Sequence, residues 1–172
     1  FGNSEVHDIF VALGIEPHTL KDNPDFSGLR YGKLCILSDA DVDGSHIQVL
    51  LLTMLLKHAP KLIERGHVYI SQPPLYRIDV PAQGKNKPLR KLYVSDDAEK
   101  ISTIEKLKRE GIAEEKLSIQ RFKGLGEMNP EQLWETTLCP DTRRLIQVKL
   151  PDGEVTTALK MFDMLMAKNE SA

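Results

Sequence analysis

Four apolar residues, Leu34-Cys35-Ile36-Leu37, run directly into three aspartates spaced two apart, Asp39, Asp41 and Asp43, closed by Gly44. A short apolar run bounded by turn residues reads as a buried strand, here from Lys33 to Ser38. Its far end therefore gathers a cluster of carboxylates. Three negative charges so close together repel one another unless a cation or hydrogen-bond donors meet them. The pattern asks for a sheet with a strand ending at a polar edge, and it points to magnesium-dependent chemistry on phosphate.

Two other local readings compete. Calcium-binding EF-hands share the acidic spacing, but their twelfth loop position, here Leu50, needs a bidentate Glu, and they need a helix where this chain has a strand-like run. A solvated turn is the second alternative.

After Gly44 the residues from about Ser45 predict an apolar helix with Ile47, Leu50, Leu51, Met54 and Leu55 buried against a sheet, ended or kinked by Pro60 and closed at Gly66. His67 to Ser71 predicts the next strand. A strand, long helix and strand in succession predict a parallel, right-handed crossover, the logic of a doubly wound α/β fold, in which ligands gather at the carboxyl ends of strands. Upstream, Asn3 or Ser4 caps a helix with Val6, Ile9, Phe10 and Leu13 on its apolar side and Gly14 as its stop.

Downstream, strands are predicted at Leu75 to Val80, Leu89 to Val94, Ser118 to Phe122 and Leu145 to Leu150. Asp96 and Glu99 have the spacing of a capping box opening a helix over 97–110, which explains the acids Asp96, Asp97 and Glu99 without a second metal site. The turn Lys123-Gly124-Leu125-Gly126 precedes a helix started by Asn129-Pro130 and capped with Gln132. Pro151-Asp152-Gly153 turns into a terminal helix carrying Leu159, Phe162, Leu165 and Met166.

Composition excludes several classes. Of 172 residues, 41% are hydrophobic and 28% charged, with no apolar stretch as long as a membrane span and no signal peptide, which predicts a globular protein of the cytoplasm without membrane contact. A net charge of -2 gives no global basic signature, so contact with nucleic acid must come from local cations or bound metal. Cys35 and Cys139 lack metal-ligand spacing and imply no disulfide framework. Phe1-Gly2-Asn3 is not an initiator start, so the sequence reads as part of something larger.

The stretch SDADVDGSHI at Ser38 to Ile47 resembles the second acidic motif of the TOPRIM domain in type IIA DNA topoisomerases. QPPLYR at Gln72 to Arg77 and QRFKGLGEM at Gln120 to Met128 resemble the downstream blocks of the bacterial B subunits, as do EVHDI at Glu5 to Ile9 and PEQLWETTL at Pro130 to Leu138. EVHDI, PPLYRID and the lack of a large insertion look more like the topoisomerase IV branch than the gyrase branch. The resemblance implies a TOPRIM (Rossmann-like) parallel sheet flanked by helices over 1–128, with a C-terminal strand and helical tail over 129–172 packing on it.

It further implies the metal-binding part of a DNA cleavage and religation centre. Asp39, with a Glu of the family's first acidic motif expected upstream of Phe1, would hold one Mg2+; Asp39 and Asp41 would hold a second; Asp43 would assist directly or through water. Mn2+ or Ca2+ would substitute structurally. His46, Arg121 and Lys123 are the implied DNA contacts, with Lys123 also placed at the chemistry and Arg77, Arg143 and Arg144 as further cations. The implied partners are double-stranded DNA and the topoisomerase IV A subunit, which supplies the nucleophilic tyrosine within a heterotetramer on the chromosome. Tyr31, Tyr69, Tyr76 and Tyr93 are therefore not nucleophiles. ATP would be bound by a module outside this sequence, and the sequence alone would be inactive. Two other classes stay open: a magnesium phosphatase of the haloacid dehalogenase type with Asp39 as nucleophile, and a noncatalytic module docking protein partners and DNA.

Overall fold

The computed structural model describes residues 3–150, and the predicted terminal helix lies outside them. It is a mixed α/β structure with six strands in two three-stranded sheets among the described residues. The chain divides into two compact units, one drawing on the described residues up to Ile36, on His46–Ile70 and on those from Leu145, the other on Leu37–Ser45 and Ser71–Arg144.

In the first unit, helix α1 (Ser4–Leu13) is capped as its sequence predicts: Asn3 Oδ1 accepts the Glu5 and Val6 N–H groups, and Gly14 ends it in the left-handed region at φ 76°. Strand β1 (Leu34–Ile36) leads through helix α2 (Val42–His58) and helix α3 (Pro60–Glu64) to strand β2 (Val68–Ser71). β1 and β2 are parallel, with Leu34 opposite Val68 and Ile36 opposite Ile70, as a crossover of this length requires. Strand β6 (Leu145–Gln147) lies on the other side of β2. Phe10, Leu13, Ile36, Leu55, Leu62 and Val68 form the middle of the core. Pro60 opens α3 without a side-chain cap, and His18, buried, supplies the missing acceptor: its Nε2 takes the Lys61 N–H at 3.1 Å.

Two expectations about α2 need correction. It begins at Val42, ahead of Ser45, because Asp41 Oδ1 accepts the Gly44 N–H at 2.7 Å and acts as an N-cap. Its buried apolar side chains are Leu52, Leu55 and Leu56, with the predicted Leu51 and Met54 half-buried against the same core, whereas Ile47 and Leu50 are exposed. The segment is apolar on all sides, so periodicity could not choose its inner face.

The second unit carries the remaining strands, and here the parallel expectation fails. β3 (Tyr76–Val80) lies between β4 (Arg90–Val94) and β5 (Ser118–Arg121), antiparallel to both. The connection over 81–89 is a hairpin loop, too short for the crossover that a parallel pair needs. Ile78, Val80 and Val94 pack against Ile104 and Leu107 of helix α4 (Asp97–Arg109). Asp96 caps α4 by accepting the Glu99 N–H at 2.7 Å, while the Glu99 carboxylate reaches Ser95 N–H, one residue before the predicted partner. Helix α5 (Pro130–Leu133) has the full capping box of Asn129 with Gln132 and continues into a π-helical turn, Trp134–Leu138. No helix among the described residues is long and apolar enough to cross a membrane.

Candidate functional site

Asp39 and Asp41 lie on the exposed link between β1 and α2, and Asp43 in the first turn of α2. Asp39 Oδ1 accepts the Leu125 N–H at 2.8 Å from a residue 86 positions away. The acidic motif and the Lys123-Gly124-Leu125-Gly126 turn thus meet within one unit. Together with Ala40, Pro73, Pro74, Phe122 and Met128, they line one small depression.

Two glycines close on Asp39. A Cβ on Gly44 would stand 1.9 Å from the Asp39 carbonyl oxygen, so the first turn of α2 approaches this backbone as only glycine allows. Gly44 is needed for that close packing inside the helix, in place of the turn before it that the sequence suggests. A Cβ on Gly124 would meet the Asp39 carboxylate at 3.1–3.2 Å.

The other predicted residues are less tightly gathered. Asp41 Oδ1 is engaged in capping α2, and its carbonyl accepts from both the N–H and the hydroxyl of Ser45. Asp43 is exposed; His46 lies one turn further along α2 and is half-buried. Arg121 ends β5, exposed and opposite Tyr76. Lys123 is exposed and anchored by its own backbone, whose N–H donates to Glu127 Oε2 at 2.8 Å. Arg77 and Arg144 are committed elsewhere, to Asp79 at 3.0 Å and Glu99 at 2.8 Å.

No three His, Cys, Asp or Glu side chains converge as a metal-binding group among the described residues. The donor set is nevertheless suited to magnesium, which keeps several waters and is held through one or two carboxylates. A carboxylate has about four lone-pair positions, so the single N–H that each of Asp39 and Asp41 is seen to accept leaves room for a hard cation.

Two of the tyrosines are tied to acids. The Tyr76 hydroxyl donates to Asp97 Oδ1 at 2.6 Å, which raises its pKa, and Lys100 stands 4.4 Å over its ring. Burial first, then a hydrogen bond to Glu135, pushes Tyr93 up to about 12. Asp96 thus caps α4, and Asp97 accepts from Tyr76. Sequence reasoning missed Glu127, Glu135 and the cavity of about 450 Å³ beside β4 that Glu135 lines with Gln72, Tyr93, Ser95, Thr142 and Arg144. Only the Glu four residues after Lys123, at side-chain-to-backbone reach across a glycine turn, carried a local signal.

The sequence pattern of a family described as DNA gyrase B subunit, carboxyl terminus, matches residues 114–172. The B subunit of DNA topoisomerase 4 from Haemophilus influenzae is 51% identical over 172 residues, covering 99% of this chain and 25% of its own length. Its Escherichia coli K12 counterpart is 50% identical over 169 residues, covering 98% and 25%. The B subunit of DNA gyrase from Thermotoga maritima is 44% identical over 170 residues, covering 99% and 24%. The chain spans about a quarter of the length of the curated relatives it matches.

Proposed function

We infer that this chain, which belongs to the B subunits of the type IIA DNA topoisomerases, supplies the magnesium-binding side of a DNA cleavage and religation centre. The observation that carries the reading is the Asp39 carboxylate held by the Leu125 N–H, because it joins the acidic motif to the cationic turn in one place. In this reading residues 1–128 are a TOPRIM domain, built on the parallel β1–α2–β2 unit, and 129–172 a tail on it. The topoisomerase IV branch is preferred over the gyrase branch, since the two topoisomerase 4 relatives share more identity with the chain than the Thermotoga gyrase does.

The reaction exchanges a phosphodiester for a phosphotyrosine on the partner polypeptide and later reverses it, so that duplex DNA passes through the break in an ATP-dependent cytoplasmic heterotetramer. Asp39 and Asp41, with Asp43 assisting, would hold magnesium, which would supply charge neutralisation at the phosphate and leaving oxygen. Asp39 is oriented by the Leu125 N–H and kept in place by the two glycines. Arg121 and Lys123 attract the DNA backbone without reading sequence, and His46 adds a contact from α2. The N-terminal end of α2 favours negative charge at the same edge.

In the complete enzyme reconstituted with its A subunit, Asp39→Asn and Asp41→Asn should each abolish magnesium-dependent cleavage while ATP hydrolysis persists. Normal cleavage by both variants would remove the assignment. Decatenation without negative supercoiling distinguishes the topoisomerase IV reading from the gyrase one.

A further inference from the structure

We infer that Glu127 is a positioning residue for Asp39: its carboxylate fixes the turn after Phe122 so that the Leu125 N–H points at the Asp39 carboxylate. The hydrogen-bond chain stands by itself, and its consequence for cleavage rests on the reading of Asp39 given under the proposed function.

The turn has an entropic problem. Gly124 is fully extended, at φ −167° and ψ 171°, and lies too near the Asp39 carboxylate for a side chain to fit without displacement. Gly126 follows two residues later, and nothing lies within 4 Å of where its Cβ would stand. Two glycines around Leu125 leave the free turn many conformations, only one of which aims its N–H correctly.

Both flanks are anchored. The Phe122 N–H donates to Leu75 O at 2.8 Å, and the Asn129–Gln132 capping box holds the far side. Glu127 spans the turn itself. Its Oε2 accepts the Lys123 N–H at 2.8 Å, while its own N–H donates to Gly124 O at 3.2 Å. The carboxylate makes a charge-assisted bond, roughly twice as strong as a neutral one. DNA contact does not explain an exposed acid here, since its charge opposes phosphate.

The test uses the full-length B subunit without metal, followed by hydrogen exchange. Glu127→Ala should speed exchange of the Lys123 and Leu125 amides by about tenfold to a hundredfold, the range for losing a hydrogen bond to a charged group. Glu127→Gln keeps an oxygen acceptor but loses the charge, and should speed exchange of the same amides by about threefold to tenfold. Unchanged exchange in Glu127→Ala overturns the inference. If that variant does not fold, Glu127→Gln decides: exchange faster at these two amides alone supports positioning, and unchanged exchange there overturns it. In the reconstituted enzyme the magnesium midpoint for cleavage should rise about tenfold in Glu127→Ala, corresponding to the lower end of the same range, with ATP hydrolysis unchanged. Faster exchange with an unmoved midpoint refutes the link to cleavage. Asp39→Asn, run in parallel, separates the two ideas: normal cleavage there sinks the assignment of Asp39 and leaves the exchange result standing.

Discussion

At position 44 an alanine Cβ would have to occupy space 1.9 Å from a carbonyl oxygen of Asp39, and the obstacle is backbone that cannot rotate away. At position 124 the obstacle is the end of a side chain, met at 3.1 Å, which can yield by a few tenths of an ångström. The two substitutions should therefore fail differently. Gly44→Ala should cost about 1–3 kcal/mol, the range for overpacking, and lower the melting temperature of the full-length protein. Gly124→Ala should leave melting nearly unchanged and instead turn the Asp39 carboxylate, seen as a higher magnesium requirement for cleavage. Equal melting losses in both would contradict this distinction. The approach of the Gly124 turn is not visible in the spacing of the acids, because the Leu125 N–H that it brings to Asp39 lies 86 positions away.

Among the elements, what local chemistry dictates was legible and what packing dictates was not. Asn3 with Gly14 and Asn129 with Gln132 announce the ends of α1 and the start of α5 through side chains a few residues from the backbone they serve. The start of α2 was hidden because Asp41 belongs to the acidic motif and is also a cap. The antiparallel β3–β4–β5 sheet went unread because a strand sequence does not state its partner's direction. α4 offers a direct test. Asp96→Ala should remove about 1 kcal/mol of stability and leave cleavage intact, as thermal melting and a cleavage assay would report.

Glu99 extends that test to pH. Burial opposes its charge, but the Ser95 N–H and the Arg144 guanidinium prevail and hold its pKa below the usual 4.5. The folded state thus binds this proton less readily than the unfolded state. Its stabilisation is complete above about pH 4.5 and is lost as pH falls through the depressed value. Since Arg144 and Glu99 are 49% and 32% exposed, the contribution is at most about 1 kcal/mol. Acid melting curves should be flatter in Glu99→Gln than in the parent within that window.

For the whole molecule, the decisive quantity is charge. A chain with net charge -2 has no long-range pull on DNA, so under the proposed function its share of binding would come from a few cations brought to the acidic edge. Lys123 is exposed on a turn anchored through its backbone, whereas Arg77 and Arg144 are already paired with Asp79 and Glu99. Each phosphate neutralised releases condensed counterions and adds about 0.9 to the slope of log affinity against log salt concentration. In the reconstituted enzyme Lys123→Ala should therefore lower the magnitude of that slope by about 0.9 and weaken binding evenly across DNA sequences. Arg144→Ala should leave the slope alone and lower melting temperature, because it removes the partner of Glu99. A slope unchanged in Lys123→Ala but reduced in Arg144→Ala would reverse the roles assigned to these two cations.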